Sequence, residues 1–357
     1  MRNVTSSRAR RDQPPAGGTV RFAGLAAGAG GFVLLVAAAA VVAVIVGAAA
    51  TAAPEAVGID DPGLLVRFGI PVSRLLLDLS AVVVAGIGML PKLIGFDDPR
   101  RSEPVLVRTR TPAVVAAVIW TVSALLALVL LTAELGAAPT PAGVWSYIVG
   151  IPAGKGLLLS AGCGALSIWL ARLAVKHGEK VPAELRAGVA LFGLLPLPLT
   201  GHASNWRYHD LSMILMELHV VTAVAWTGGL AAVIVFLSRS PALLAVALPR
   251  FSKLATWCVI VVGVTGIFNG LLELALSPVT SLPGSLLTTR YGVLVVAKAV
   301  CMAVIAALAV VVRTRLLPRV AAGRPTALAG WCGWEVTILA VAFAVAVVLT
   351  RTSVTPF

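Results

Sequence analysis

The chain is 357 residues long, 59% apolar and only 12% charged, with a mean hydropathy of +0.98. A soluble protein would carry about 25% charged residues, so this composition excludes a soluble enzyme and marks an integral membrane protein. The net charge of +13 would suit a nucleic-acid binder, but its distribution along the chain assigns it another role.

Residues 1–21 hold five arginines, two prolines and two adjacent glycines, which read as a basic tail. Residues 22–53 follow as an unbroken small-apolar run, longer than the ~20 residues a spanning helix needs. A signal-peptide apolar core has about 7–15 residues, so the run is read as a retained helix. Cleavage after its Ala-rich end, AAATAAPEA, is the other reading. Further apolar spans fall at 63–91, 112–133, 156–174, 186–200, 210–237, 252–275, 291–312 and 329–350. Period-two alternation is absent, which excludes a β-barrel. The expected fold is all-α, a polytopic transmembrane helical bundle of about nine helices, or eight if the first is cleaved. The span at 186–200 is the shortest, and Pro196 and Pro198 are expected to distort its end. This divides the chain into a tail (1–21), four helices (22–184), a second transmembrane domain (185–350) and a short tail (351–357).

Charge between the spans sets the orientation. With the N-terminus inside, segments 1–21, 92–111, 172–187, 238–253 and 313–328 carry 21 Lys and Arg, and the opposite side carries four. The positive charge is therefore a topology signal, not a nucleic-acid footprint. The N-terminus is placed in the cytoplasm, and the C-terminus and the 200–210 loop outside it.

Seven ionisable residues fall within the spans: Arg67, Arg74, Asp78, Glu217, Glu273, Lys298 and Glu335. A charge at mid-membrane costs about 2.5–3.5 kcal/mol on insertion scales, so each is expected to face the bundle interior or to pair. Arg74 and Asp78, at i and i+4, are expected to pair with each other. Glu217 and Glu273 lie in the outer halves of their helices, and Lys298 is expected as the counter-charge of one of them. Glu335, near the cytoplasmic end of the last helix, serves an exit or anchors that end. Gly228, Gly229, Gly263, Gly266 and Gly270 mark close helix contacts. Asn269, set among the last three, is an interhelical hydrogen-bonding residue or a pathway lining.

The densest group of metal-binding side chains lies at 200–230, where three of the four histidines occur: His202, His209 and His219. Met213 and Met216 lie between the last two. On a helix beginning near Asp210, positions 209, 213, 216 and 219 cover an arc of roughly 120°, one face. Thioether sulfur selects Cu(I), and imidazole takes either oxidation state of copper. Two readings stand: a copper site of His202, His209, Met213, Met216 and His219, or methionine as packing filler beside solvated histidines. Counting back from the helix end places His219 at the outer edge of the hydrocarbon. The four cysteines, Cys163, Cys258, Cys301 and Cys332, are far apart and in no CxxC pattern, so neither a disulfide framework nor a zinc site follows.

His219, Trp226, Gly228 and Gly229 spell H-x6-W-x-G-G, preceded by Thr200-Gly201-His202-Ala203. Arg250-Phe251-Ser252, Thr265-Gly266 with Asn269, Tyr291-Gly292, Lys298 and Glu335 follow in order. Over roughly residues 185–350 this set resembles the copper resistance D (CopD) family of bacterial inner-membrane proteins. The resemblance implies copper handling across the cytoplasmic membrane, usually uptake, with a small extracytoplasmic copper-binding protein as donor. It makes His202 and His219 the motif histidines; His209, Met213 and Met216 rest on helical spacing. The family often has eight helices, and the basic tail with its extra apolar run departs from it.

Other classes remain open at this level. A haem protein needs axial histidines, and only His219 lies in a span, with His202 at a helix end. A factor delivering copper to a membrane oxidase, and a structural subunit, would share the same composition. The sequence has no motif-placed nucleophile–His–carboxylate set and no phosphate-binding loop, so neither an enzyme nor an ATP-driven pump is expected.

Overall fold

A computed structural model describes residues 29–51, 63–200, 209–321 and 328–354. The described residues are almost entirely helical and contain no β-strand. In chain order the helices are α1 (Ala29–Ala50), α2 (Gly63–Ile94), α3 (Pro99–Glu134), α4 (Pro141–Gly150), α5 (Pro152–His177) and α6 (Ala183–Phe192). They continue with α7 (His209–Leu237), α8 (Pro241–Leu276), α9 (Ser285–Thr288) and α10 (Arg290–Val311). A π-turn (Val312–Leu316) leads into α11 (Leu317–Ala321), and α12 (Leu328–Leu349) is last. Eight of them (α1, α2, α3, α5, α7, α8, α10 and α12) are long and apolar enough to cross a membrane. The chain is thus a multi-pass membrane protein.

Local chemistry sets where helices start. Pro99, Pro141, Pro152 and Pro241 each open one, at a position where the missing N–H is not needed and the fixed φ suits the helix. Thr140 and Thr289 cap α4 and α10 by accepting from the backbone N–H groups of Gly143 (3.2 Å) and Gly292 (2.9 Å). All four cysteines are free.

The central element is α2, which packs against α3, α6 and α7 and also meets α1, α8 and α12. It carries Pro71 and Pro91 inside its length, which neighbouring helices make tolerable in a membrane bundle. α7 runs parallel to it: Gly228 lies against Val82 and Gly86, and Gly229 is near Met89. A Cβ on Gly86 or Gly228 would enter the backbone of the other helix, so this crossing requires two residues without side chains. The remaining glycines divide: Gly266 of α8 faces the His219 ring and Gly270 faces Val295, whereas Gly263 has nothing within 4 Å. The expected close contact at Gly263 is therefore not made.

The 186–200 segment departs from a full ninth helix. α6 has 10 residues, about 15 Å by helical rise, half of a hydrocarbon core of about 30 Å. Pro196 and Pro198, two residues apart, each remove a backbone donor and disfavour helix in the residues before them. The chain continues through turns and a short 3₁₀ segment, Leu197–Thr200. It still makes a crossing, because Ala187 lies against Gly88 near the end of α2 and Pro196 against Gly156 near the start of α5. Irregular backbone at this depth must be covered by protein. Leu194 and Leu197 are accordingly buried, and the Leu197 carbonyl accepts from Arg74 at 3.5 Å. With this broken crossing counted, α7 starts at the same end of the bundle as α2, α5 and α10.

A cavity lined by His219, two methionines and a lysine

A cavity of about 170 Å³ lies between α2, the end of the broken crossing, α7, α8, α10 and α12. α7 presents to it Ser212, Met216, His219, Ala223 and Trp226. These steps of four, three, four and three keep one stripe of the helix inward. α8 adds Asn269 and Glu273, and α10 adds Tyr291, Lys298 and Met302 at steps of seven and four. α12 closes the opposite wall with apolar side chains including Leu339, Phe343 and Val347.

His219 is buried, and both ring nitrogens have partners. Nδ1 lies 3.0 Å from Thr265 Oγ1. The hydroxyl proton of Thr265 is committed to the Val261 carbonyl at 2.6 Å, so the oxygen accepts from His219 Nδ1–H. In that tautomer the Nε2 lone pair is left towards the cavity, the arrangement of a metal-ligating histidine oriented through its other nitrogen. Nε2 instead meets the ammonium of Lys298 at 3.4 Å. Lys298 was expected to face a carboxylate. Among the described residues none lies within ion-pair distance of it.

The cavity's other polar groups are arranged above His219. Arg74 and Asp78 form the expected pair, with Nε 3.2 Å from Oδ1, and both line the cavity. Ser212 Oγ donates to Asn269 Oδ1 at 3.4 Å, while the buried Nδ2 of Asn269 has no partner among the described residues. An unsatisfied buried donor beside a cavity is where a water or a ligand binds. Glu273 is buried and in electrostatic range of Tyr291. At the cavity's other end the buried Trp226 indole lies beside the Glu335 carboxyl, which does not itself line the cavity.

The structure thus brings together Met216, His219, Trp226, Asn269, Glu273 and Lys298 of the residues singled out in the sequence. Met213 is buried but outside the lining, and Glu217 and Glu335 are outside it too. His209 opens α7; its side chain, and His202 altogether, lie outside the described residues. Met302 and Ser212 were missed, and Tyr291 was noted only as part of the Tyr291-Gly292 motif. Met302 stands at i+4 from Lys298, so helical spacing from the lysine would have found it. Among the described residues no three His, Cys, Asp or Glu side chains gather as a metal site. A metal in this cavity would draw on imidazole and thioether donors.

Fold and cavity define a multi-pass helical membrane protein with a buried site built from one histidine, two methionines and a lysine. Residues 59–210 match the N-terminal domain of copper resistance protein D-like proteins, and residues 245–349 match copper resistance protein D. Together these cover well over half of the chain, which belongs to the copper resistance D family and is a copper-related membrane protein. That family is not a known enzyme family. The H-x6-W-x-G-G stretch falls between the two matched regions. No curated protein and no solved structure matches the chain significantly.

Proposed function

We propose that the chain carries copper across the bacterial cytoplasmic membrane in the direction of uptake, with His219 as the central ligand. The observation that carries this reading is the oriented Nε2 of His219, sharing one cavity with the thioethers of Met216 and Met302. Imidazole and thioether are the donors that suit copper, Cu(I) above all. His202, His209 and Met213 form the approach from outside. Glu217, Asn269 and Glu273 supply polar groups along it, Trp226 closes the floor, and Glu335 stands beyond it towards the cytoplasm. A small extracytoplasmic copper-binding protein docks over the segments between spans at 134–155, 200–210 and 276–290. Among the described residues the cavity offers one histidine, which disfavours a bis-histidine haem.

Metal analysis of the purified full chain, with its absorption spectrum, tests the reading. The expected result is about one copper per chain at the site, no Soret band, and faster copper accumulation in cells that express it. Bound copper with no change in cellular copper would mark a delivery factor, and copper-free protein carrying haem would end the proposal. Orientation is tested separately. From the asymmetry of 21 basic residues against four, a reporter fused after Phe357 is expected outside the cytoplasm and one near Arg101 inside. The reverse pair of results would invert the direction of approach.

A further inference from the structure

We infer that Lys298 is a tethered cation that sets the charge of the metal this cavity accepts, admitting a monovalent soft ion, Cu(I) or its analogue Ag(I), and excluding divalent ions. The inference rests on the reading of His219 as a ligand and adds the oxidation state of the cargo.

Lys298 Nζ stands 3.4 Å from the one imidazole nitrogen whose lone pair is free for a metal. An ammonium and a metal ion require the same lone pair, so a metal binds only when the lysine moves off it. The four-carbon stem allows that swing, but its attachment to α10 keeps the charge nearby. Among the described residues no carboxylate lies within ion-pair distance of it. Arg74 is neutralised by Asp78 at 3.2 Å. Glu273 lines the same cavity about two turns along α8 from Thr265. Glu335 stands beside Trp226 and outside the lining.

Repulsion between Lys298 and a bound metal scales with the charge of the metal, so a divalent ion meets twice the opposition of a monovalent one. The donors act in the same direction. Met216, Met302 and His219 bring no negative charge to offset a divalent ion, and thioether sulfur selects Cu(I).

The test titrates the purified full chain in detergent with Ag(I) and, separately, Zn(II), following bound metal by native mass spectrometry. Lys298→Leu removes the charge without adding a donor, Lys298→Arg keeps the charge, and His219→Gln reports whether binding passes through the imidazole rather than the cysteines. The wild-type chain is expected to bind Ag(I) at least about 100-fold more tightly than Zn(II). Lys298→Leu is expected to raise Zn(II) affinity at least about tenfold more than Ag(I) affinity, and Lys298→Arg to keep the wild-type preference. Lys298→Gln serves the same comparison if the leucine variant does not fold. Equal shifts for both ions, or none, with Ag(I) still lost on His219→Gln, would overturn the charge filter and leave the copper reading standing. If His219→Gln leaves Ag(I) binding unchanged, both fall together.

Discussion

His219→Gln is expected to leave a folded protein that no longer accumulates copper. His219 sits where an alanine would be ambiguous. Truncation strands the Lys298 ammonium and leaves Thr265 without its ring partner, and an unsatisfied buried polar group costs about 1–3 kcal/mol. Glutamine offers an amide N–H₂ to Thr265 and a carbonyl oxygen to Lys298, so it can keep both hydrogen bonds while removing the imidazole donor. A ligand role then predicts expression and thermal stability close to wild type, with copper accumulation and bound copper reduced at least about tenfold. Met216→Leu combined with Met302→Leu keeps the packing volume and removes both sulfurs. It is expected to weaken Cu(I) uptake more than Cu(II) binding. Wild-type uptake by His219→Gln would make the residue a structural crosslink between α7, α8 and α10.

The part of this site visible in the sequence was the part that lies on one helix. Met216 and His219 are three residues apart, and any α-helical period places them on one face. Of the face read through 209, 213, 216 and 219, the cavity takes 216 and 219, joined on α7 by Ser212, Val220, Ala223, Val224 and Trp226. Ligand chemistry selects residue types, but burial selects the face, and Ser212 and Ala223 carry no chemical signal. Met302 shares a helix face with Lys298, but the Lys298–His219 contact that turns this face to the cavity depends on how α10 is set against α7, and no periodicity within either helix contains that information. Lys298 was assigned to a carboxylate because a buried charge is costly unpaired. The same argument is met here by an imidazole lone pair, which sequence reading had reserved for the metal.

The fold was more legible than the site, because hydropathy over ~20 residues reports directly on spanning helices. The exception was 186–200, and its physical cause was in view. Pro196 and Pro198 disfavour a continuous helix, and the chain crosses as a short helix and covered turns. A hydropathy window counts apolar residues and is blind to the missing backbone donors. The crossing nevertheless preserves the alternation of directions, since α7 runs parallel to α2 with Gly228 against Gly86.

That crossing point carries the largest expected effect on folding. Gly228→Leu is expected to abolish folded protein, whereas Gly263→Leu, on the next helix, is expected to be tolerated. A Cβ at Gly228 would stand 3.0 Å from the Gly86 backbone nitrogen and 3.1 Å from its Cα, and it would also overlap the Val82 carbonyl. These are backbone atoms of α2, which no rotamer change can move. Overpacking ordinarily costs about 1–3 kcal/mol because side chains give way. Here α2 and α7 must separate, opening contacts that both helices bury along their length, including the Trp226 environment below the cavity. Gly263 has nothing within 4 Å, so a leucine there meets open space, and its lower backbone entropy favours the helix. The measurement is the yield of monodisperse protein in mild detergent together with its thermal midpoint. Normal yield and midpoint for Gly228→Leu would mean that α2 and α7 do not cross at this point, and the parallel placement that brings His219 to the cavity would fail with it.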